Sequence, residues 1–212
     1  MATSCTKRFQ ICPKIPQTIS HSRDLGMSSE NIDLFLASIY ELRENLGGCF
    51  MQMPPYFEIS RLPMLERFLA KWSREIPLAI EVRHESWFDN SDNFNRLFDL
   101  LEQYQISTVI TDVAGRRDVL HQRLTTDTAM VRFVGNELHS TDYERIDAWV
   151  ERLKYWFENG LKAVYFFSHE PDNILAPELA DYLVSKIKKT FEADIRGPKL
   201  IDDNIGQQIS LF

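Results

Sequence analysis

The sequence predicts an α/β protein built on a parallel sheet, and three observations carry that prediction. Short runs rich in Val, Ile and Phe alternate with longer stretches that repeat apolar residues at helical spacing. Several of the short runs end in a polar or charged residue. The chain has 212 residues, 44% of them hydrophobic, which suffices for one large domain with a substantial core. Both a doubly wound sheet and a TIM-barrel-like β/α barrel satisfy these observations.

The predicted elements follow one another in a regular strand–helix order. Gly47 and Gly48 mark the end of the first long helix, and Thr141 with Glu144 forms a capping-box pattern at the start of the fourth. The predicted helices cover about 31–46, 94–104, 141–157 and 177–191, and 65–72 is the middle of one more, between the first two of these. The predicted strands are 9–15, 49–53, 78–82, 107–113, 129–134 and 163–167. Six strands are two fewer than a closed eight-stranded barrel needs, so a barrel built from them would be incomplete.

Composition excludes several classes of protein. A net charge of -7 argues against broad electrostatic wrapping of nucleic acid or of an anionic membrane. The three cysteines, Cys5, Cys12 and Cys49, form no C-x-x-C pair, so we interpret them as reduced thiols. The chain starts without the apolar core of a signal peptide, and no stretch approaches 18 apolar residues. We therefore expect a cytoplasmic protein.

The polar residues at the strand ends are the candidate site. In a parallel barrel the carboxyl ends of all strands share one rim, so such side chains converge there. A doubly wound sheet gathers only those beside its switch point. The strand-end residues are Lys14, Gln52, Glu81, Arg83, His84, Asp112, Arg132, Ser168 and His169.

The segment EVRHESW, residues 81–87, is the densest of these groups. Glu81 and Arg83 share one face of an extended strand, where they pair with each other or together hold a polar substrate. His84 can transfer protons near neutral pH. The alternative is a buried ion pair without a catalytic role. Trp87 either stacks on a ligand or packs in the core, and packing is the more frequent role of such aromatics.

Two further strand-end charges carry alternatives of their own. Asp112 is a candidate base or metal ligand, but an Asp after a strand also caps turns. Arg132 interrupts an apolar strand and requires an anionic partner. That partner is either a ligand phosphate or carboxylate, or a protein carboxylate such as Glu81 or Asp112.

The sequence specifies no cofactor. The five histidines form no H-x-x-x-H or H-E-x-x-H pattern, so a divalent metal would need loop-borne groups such as His21, Glu81 and His169 to meet. The chain has no G-x-G-x-x-G, P-loop or G-x-S-x-G motif. The usual sequence signals of dinucleotide binding, nucleotide hydrolysis and serine hydrolases are therefore missing.

The ordered set of motifs resembles the domain of unknown function 72, or YecE-like, family. That resemblance implies a TIM-barrel-like fold with polar groups at the carboxyl rim and implies no particular reaction. The chain departs from the family pattern at Val134, where a His is usual, and at Ser168 and His169. It also begins at what resembles the family's third strand, which indicates a start assigned too late, a fragment or a degraded gene. The motifs are KIPQTISH (14–21), QMPPYF (52–57), EVRHESW (81–87), TD (111–112), VRFVG (131–135) and AVYFFSH (163–169).

The last residues form a second motif. We expect the barrel domain to cover 1–194 and a flexible tail to cover 195–212. The ending QISLF resembles the peptide that binds the bacterial sliding clamp, with Leu211 and Phe212 as apolar anchors and Gln208 as a hydrogen-bonding residue. The alternative is that these apolar residues pack on their own barrel.

Two functions follow as hypotheses. The first is a hydrolase or acid/base enzyme acting on a polar, phosphate-bearing small molecule or nucleic-acid end. The second is a non-catalytic accessory of DNA replication or repair, recruited to the clamp, and an inactive barrel is a third reading. For the first hypothesis the catalytic candidates are Glu81, His84 and Asp112, and the substrate-binding candidates are Lys14, Gln52, Arg83, Trp87, Arg132 and His169.

Overall fold

Five strands form one sheet in a computed structural model that describes residues 9–89 and 91–200. The order across the sheet, β1-β2-β3-β4-β5, is the order in the chain. A doubly wound sheet reverses direction at a switch point, whereas a barrel always adds the next strand on the same side. The predicted TIM-barrel-like class is therefore confirmed. The strands are β1 Cys49–Gln52, β2 Leu78–Glu81, β3 Ser107–Val113, β4 Thr128–Val134 and β5 Ala163–His169.

The described residues contain six α-helices, and the shortest of them, 17–20, lies where a loop is predicted. Two of the predicted helix bounds differ from the structure in ways that bear on the sequence signals. The helix predicted to reach residue 46 ends at Tyr40, and Arg43 behind it has a left-handed φ of 48° that no helix continues through. The fourth long helix begins at Ser140, so Thr141 lies inside its first turn and is not the predicted cap. The helices are α1 Gln17–Ser20, α2 Asn31–Tyr40, α3 Leu62–Lys71, α4 Ser91–Gln103, α5 Ser140–Glu158 and α6 Ala176–Phe191.

The described chain divides into two units. Residues 9–133 and 157–167 form the larger unit, and residues 134–156 and 168–200 form the smaller one. The larger unit contains α1 to α4 and nearly all of the sheet. The predicted tail boundary after residue 194 stays a prediction, because residues 201–212 lie outside the described part.

The larger unit buries its main core between the sheet and the helices. Alternation along β1 and β2 directs Met51 and Ile80 to this side, where both are at most 1% exposed. Leu65 and Phe68 of α3 and Leu97 of α4 belong to the same cluster. Burial of such side chains contributes about 1.5–3 kcal/mol each, so this layer is the main apolar contribution to the stability of the unit.

The opposite side of the sheet is curled onto itself. Phe50 of β1 and Phe167 of β5 lie with ring centroids 5.7 Å apart, although their strands are the first and last of the sheet. The ring of Tyr165 lies so close to Gly47 and Gly48 that a Cβ at either glycine would be 3.4 Å from it. Within the described residues β1 and β5 are not hydrogen-bonded to each other, so the sheet is that of an incomplete barrel.

The predicted first strand, 9–15, is wrong as a regular strand. It lies beside β1 but pairs only through isolated parallel bridges, Ile11 with Leu46 and Lys14 with Phe50. Pro13 has no N–H to donate, and its carbonyl accepts from the Phe50 amide at 3.0 Å. The prolines at positions 13 and 16 thus interrupt the ladder that the apolar pattern predicted.

His121 anchors the loop between β3 and β4. Its ring is 8% exposed and packs against Phe88, Phe94 and Phe98, with centroids 4.9–6.1 Å away. Its Nε2 lies 3.3 Å from the Thr108 hydroxyl. Burial in this aromatic environment lowers the pKa of His121 from 6.5 to about 4.

We predict that acid destabilises the protein through His121. Above pH 6.5 the imidazole is neutral in both states. As the pH falls, the unfolded chain binds a proton near pH 6.5 and the folded chain only near 4, so stability is lost across that window. The loss that His121 causes between pH 7 and pH 4.5 amounts to about 2–3 kcal/mol. Urea unfolding at both pH values measures it.

The variant His121→Phe should show a correspondingly smaller difference between the two pH values. His139→Gln is the control, because His139 is exposed. An unchanged pH difference in His121→Phe would contradict the prediction.

Candidate functional site

A small apolar cluster defines the interior face of the sheet. Ala79, Val109 and Met130, from β2, β3 and β4, contact one another, and Phe50 and Tyr165 pack against them. Because side chains alternate along a strand, residues two positions further on point to the same face. From β1 to β4, these residues are Gln52, Glu81, Thr111 and Arg132, which we call the interior polar set.

Hydrogen bonds link three members of this set to Lys14. The Lys14 ammonium donates to Gln52 Oε1 at 3.0 Å, and Gln52 Nε2 donates to Glu81 Oε2 at 2.9 Å. Arg132 Nη1 donates to the other carboxylate oxygen, Glu81 Oε1, at 3.4 Å. The pairing of Gln52 with Glu81 follows from the β1–β2 register, which places the two residues opposite each other. The structure thus brings together four residues that the sequence predicted.

Glu81 is the fixed point of this network. Its side chain is 0% exposed, whereas that of Arg132 is 27% exposed. A buried carboxylate requires compensation, and here an amide and a guanidinium provide it at separate oxygens. Both oxygens of Glu81 are therefore engaged, which suits a residue that positions Arg132. Of the partners considered for Arg132, the structure selects Glu81.

Arg83 does not pair with Glu81, contrary to one of the predicted arrangements. β2 ends at Glu81, and Arg83 lies two residues beyond the strand. Its side chain is half-buried, and within residues 9–89 and 91–200 it forms no hydrogen bond or ion pair. Arg132 reaches Glu81 because it stands on the interior face of β4. Arg83 is thereby left with its donors available to another group.

His84 has a structural contact that restricts its chemistry. Its side chain caps a short 3-10 helix, Glu85–Trp87: Nδ1 accepts the Ser86 amide at 3.2 Å and lies 2.9 Å from the Ser86 hydroxyl. An accepting Nδ1 places the hydrogen of the neutral ring on Nε2. Nε2 is thus the nitrogen through which His84 can donate to a ligand.

Trp87 lies in the core. It is 0% exposed, its Nε1 donates to the Phe57 carbonyl at 2.6 Å, and its ring stacks on Phe57 with centroids 5.9 Å apart. These contacts are those of the packing alternative, and they leave no ring face for a ligand.

Asp112 is separated from the interior polar set. Asp112 stands four residues after Thr108, so both lie on the helix side of β3, where Thr108 faces His121. It stands three residues after Val109, so it does not share the interior face with Val109. Its carboxylate pairs with Arg117 at 2.5 Å. The structure therefore does not bring Asp112 together with Glu81. Two residues at strand ends share a face only when the alternation along their strands agrees, and for Asp112 and Glu81 it does not.

The smaller unit has its own buried carboxylate, Glu170, which sequence reasoning missed. It follows His169 at the end of β5, and it is 3% exposed. Its Oε2 accepts the Glu137 amide at 2.9 Å, and burial raises its pKa. A Cβ on Gly135 would overlap the Glu170 carboxylate, so any larger residue there would require Glu170 to shift. The available signal was another charged residue directly after a strand.

These contacts hold the loop after β4 in a rare conformation. Glu137 and Leu138 have φ values of 59° and 58°, which L side chains seldom adopt. Asp142 accepts the Asn136 amide at 2.7 Å, so two carboxylates bind the backbone of this loop. From this geometry we assign Glu170 a structural role, which is to support the loop after β4.

His169, a predicted substrate-binding residue, is exposed, and its carbonyl accepts the Gly135 amide at 2.8 Å.

No group of three or more His, Cys, Asp or Glu side chains suited to a metal occurs in the described residues. His21, one of the residues considered for a metal, has its Nδ1 2.9 Å from the Ser20 hydroxyl. A surface cavity of about 510 Å³ on α3 includes Met64 and Arg67 but no predicted site residue. We therefore base the site on the interior face and not on that cavity.

The predicted clamp-binding residues, Gln208, Leu211 and Phe212, lie outside the described residues.

The fold and this site define an α/β protein of the TIM-barrel type with a polar set at the carboxyl ends of its strands. The chain belongs to the family described as "Protein of unknown function DUF72", which matches residues 1–200. It is 30% identical over 225 residues to the UPF0759 protein YecE of Escherichia coli K12, covering 98% of this chain and 80% of the relative. The predicted family is thereby confirmed.

Solved structures agree on the fold. A DUF72 family protein of Enterococcus faecalis, EF0366, superimposes with a TM-score of 0.70 at 19% identity, covering 92% of this chain and 79% of that one. A DUF72 family protein of Thermotoga maritima, TM1631, gives 0.62 at 23% identity, covering 87% and 74%. In the part of the chain that the structure describes, every helix is too short or too polar to span a bilayer.

We predict that Glu81→Leu destabilises the protein by about 3 kcal/mol, because it leaves Arg132 without its counter-charge and Gln52 without its acceptor. The double variant Glu81→Leu with Arg132→Met should recover most of that loss, since removing both partners of a buried ion pair is often nearly neutral. Chemical unfolding at pH 7 measures both.

Glu66→Gln serves as the control, because Glu66 is exposed on α3, and it should change stability by less than about 0.5 kcal/mol. A double variant as unstable as Glu81→Leu would show that the ion pair is not the interaction that matters.

Proposed function

We propose that this protein binds a small phosphate-bearing, or similarly anionic, molecule at the carboxyl ends of β1 to β4 and acts on it by hydrolysis or acid/base chemistry. One observation carries the proposal: the Arg132 guanidinium is held by the fully buried Glu81 while 27% of its side chain stays exposed. An arginine fixed by a buried carboxylate at one end has lost its rotamer freedom before a ligand arrives, which favours anion binding.

The balance of charge supports an anion. Arg132 pairs with Glu81, Lys14 bonds the neutral Gln52, and Arg83 follows β2 as a third cation, so the residues proposed for the site carry three positive charges and one carboxylate. The chain as a whole carries a net charge of -7, so it repels anions at long range. A local excess of positive charge within an acidic protein favours a ligand that matches this site specifically over nonspecific binding of polyanions.

The proposed roles follow from the contacts. Arg83 and Arg132 bind the anion, and Lys14 with Gln52 contacts its polar remainder. Glu81 acts as a positioning residue, since both of its oxygens are engaged. His84 supplies the proton through Nε2, because its Nδ1 accepts from Ser86. Enzymes of the barrel type place their sites at this end of the strands, an analogy of fold that agrees with these roles.

We predict that Arg132→Met and Arg83→Met each weaken the binding of inorganic phosphate and of phosphate monoesters by about tenfold or more, the effect of one lost charge-assisted hydrogen bond. Isothermal titration calorimetry on the full chain measures the affinities, and turnover of phosphate mono- and diesters is followed in the same series.

Arg96→Met is the matched control, because Arg96 is exposed on α4, away from the interior face. Wild-type affinity in both Arg83→Met and Arg132→Met, or no anion binding by the wild type, would refute the proposal.

A second candidate function is an accessory of DNA replication or repair, delivered to the bacterial sliding clamp. The ending QISLF supports it, because its Leu and Phe offer paired apolar anchors beside a glutamine that can hydrogen-bond. Such a partner requires a cytoplasmic location, with which the free thiols of Cys12 and Cys49 agree.

We predict that the full chain binds purified bacterial sliding clamp and that Leu211→Ala with Phe212→Ala weakens this binding at least about tenfold, because two hot-spot anchors are removed. Biolayer interferometry with immobilised clamp measures it. The variant Leu200→Ala, at an exposed position before the motif, is the control. Equal binding by the double variant would exclude the clamp as the partner of this motif.

A further inference from the structure

Thr111 has a buried hydroxyl without a hydrogen bond. The residue is 7% exposed, and its Oγ1 is inaccessible and finds no partner among residues 9–89 and 91–200. The other hydroxyls of β3 are paired: Ser107 with Thr126 at 2.7 Å, and Thr108 with His121 at 3.3 Å. A buried hydroxyl left unpaired costs free energy, and such groups are rare in folded proteins.

The position of Thr111 links it to the interior polar set. It stands two residues after Val109, so it shares the face of Glu81 and Arg132. The β2–β3 register pairs Ala79 with Ser107, and four residues further along the two segments stand Arg83 and Thr111. A guanidinium and a hydroxyl, neither of which has a partner in the described part of the chain, are thus at the same level of the sheet.

No protein group among the described residues pairs with this hydroxyl. Valine has nearly the same shape as threonine, prefers strands equally and carries no polar atom that needs a partner. A side chain with one donor and two acceptor positions is useful at this place only if something else supplies the partner. An oxygen of an anion bound by neighbouring arginines accepts such a donor directly.

We propose that Thr111 is a ligand-binding residue: a tetrahedral anion bound by Arg83 and Arg132 displaces the side chains that cover the Thr111 hydroxyl, which then donates to an oxygen of that anion. This inference rests on the proposed anion site and adds a neutral donor to it. A hydroxyl is directional, so it fixes the rotation of a phosphate group that charged side chains alone leave free.

The test compares three variants of the full chain with inorganic phosphate as the probe. Thr111→Val removes the hydroxyl and keeps the shape, and Thr111→Ser keeps the hydroxyl. Thr108→Val is the matched control, because it removes a hydroxyl from the same strand on the opposite face. Thermal unfolding without phosphate and calorimetric titration with phosphate are measured for each variant.

Thr111→Val should raise the Tm of the phosphate-free protein by about 2–4 °C and weaken phosphate binding about tenfold. Thr111→Ser should keep the affinity within about threefold of the wild type, since it preserves the donor. Thr108→Val should lower Tm, because it breaks the contact with His121, and leave the affinity unchanged.

Two outcomes overturn the inference alone: a lower Tm for Thr111→Val, which makes the hydroxyl structural, or wild-type affinity in Thr111→Val while Arg132→Met has lost binding. No phosphate binding by the wild type overturns the anion site and this inference together. The three results are distinguishable within one set of measurements.

Discussion

The arrangement of the interior face depends on one fully buried carboxylate, that of Glu81. Because it cannot reach water, its charge has to be compensated by the protein, and two strands supply the compensation: Gln52 from β1 and Arg132 from β4. The register of β1 on β2 and the orientation of Arg132 are thereby tied to the same pair of oxygens. A polar network of this kind contributes less to net stability than to selecting one arrangement of the strands around it.

Buried carboxylates in the smaller unit bind backbone amides. Glu170 accepts the Glu137 amide, and Asp142 accepts the Asn136 amide and also pairs with Arg145 at 2.8 Å. Charged acceptors of this strength can hold a loop whose dihedral angles are unfavourable by themselves. In both units, therefore, an acidic group placed just at or after a strand determines the local geometry.

Much of the fold could be predicted from the sequence, because it depends on local patterns. The β2 and β3 bounds follow from apolar runs between helices, and the predicted ends lie within one residue of those observed. The prediction of a regular strand over 9–15 is wrong because an apolar pattern does not show how many backbone amides can donate to a neighbouring strand, and Pro13 has none to donate. Arg43 ended a helix early through a backbone angle that no periodicity reveals.

The sequence predicts which residues belong to the candidate site, but it does not predict which of them bond to each other. Position at a strand end identified Glu81 and Arg132, yet their ion pair spans 51 residues and depends on the curl of the sheet. Thr111 carries no signal of its own in the sequence, because a threonine is common in strands and only the structure shows that its hydroxyl has no partner among the described residues. Such features are tertiary, and they require coordinates.

The alternation along β3 makes this strand a partition between two chemical environments. Thr108 faces the imidazole of His121, which responds to acid, while Thr111, three residues on, faces the arginine-bearing side. Protonation of His121 therefore alters folding free energy without adding a charge on the arginine-bearing side. A plot of ligand affinity against pH and a plot of stability against pH thus need not share a midpoint. Any inflection in the affinity plot belongs to the ligand or to the groups beside it.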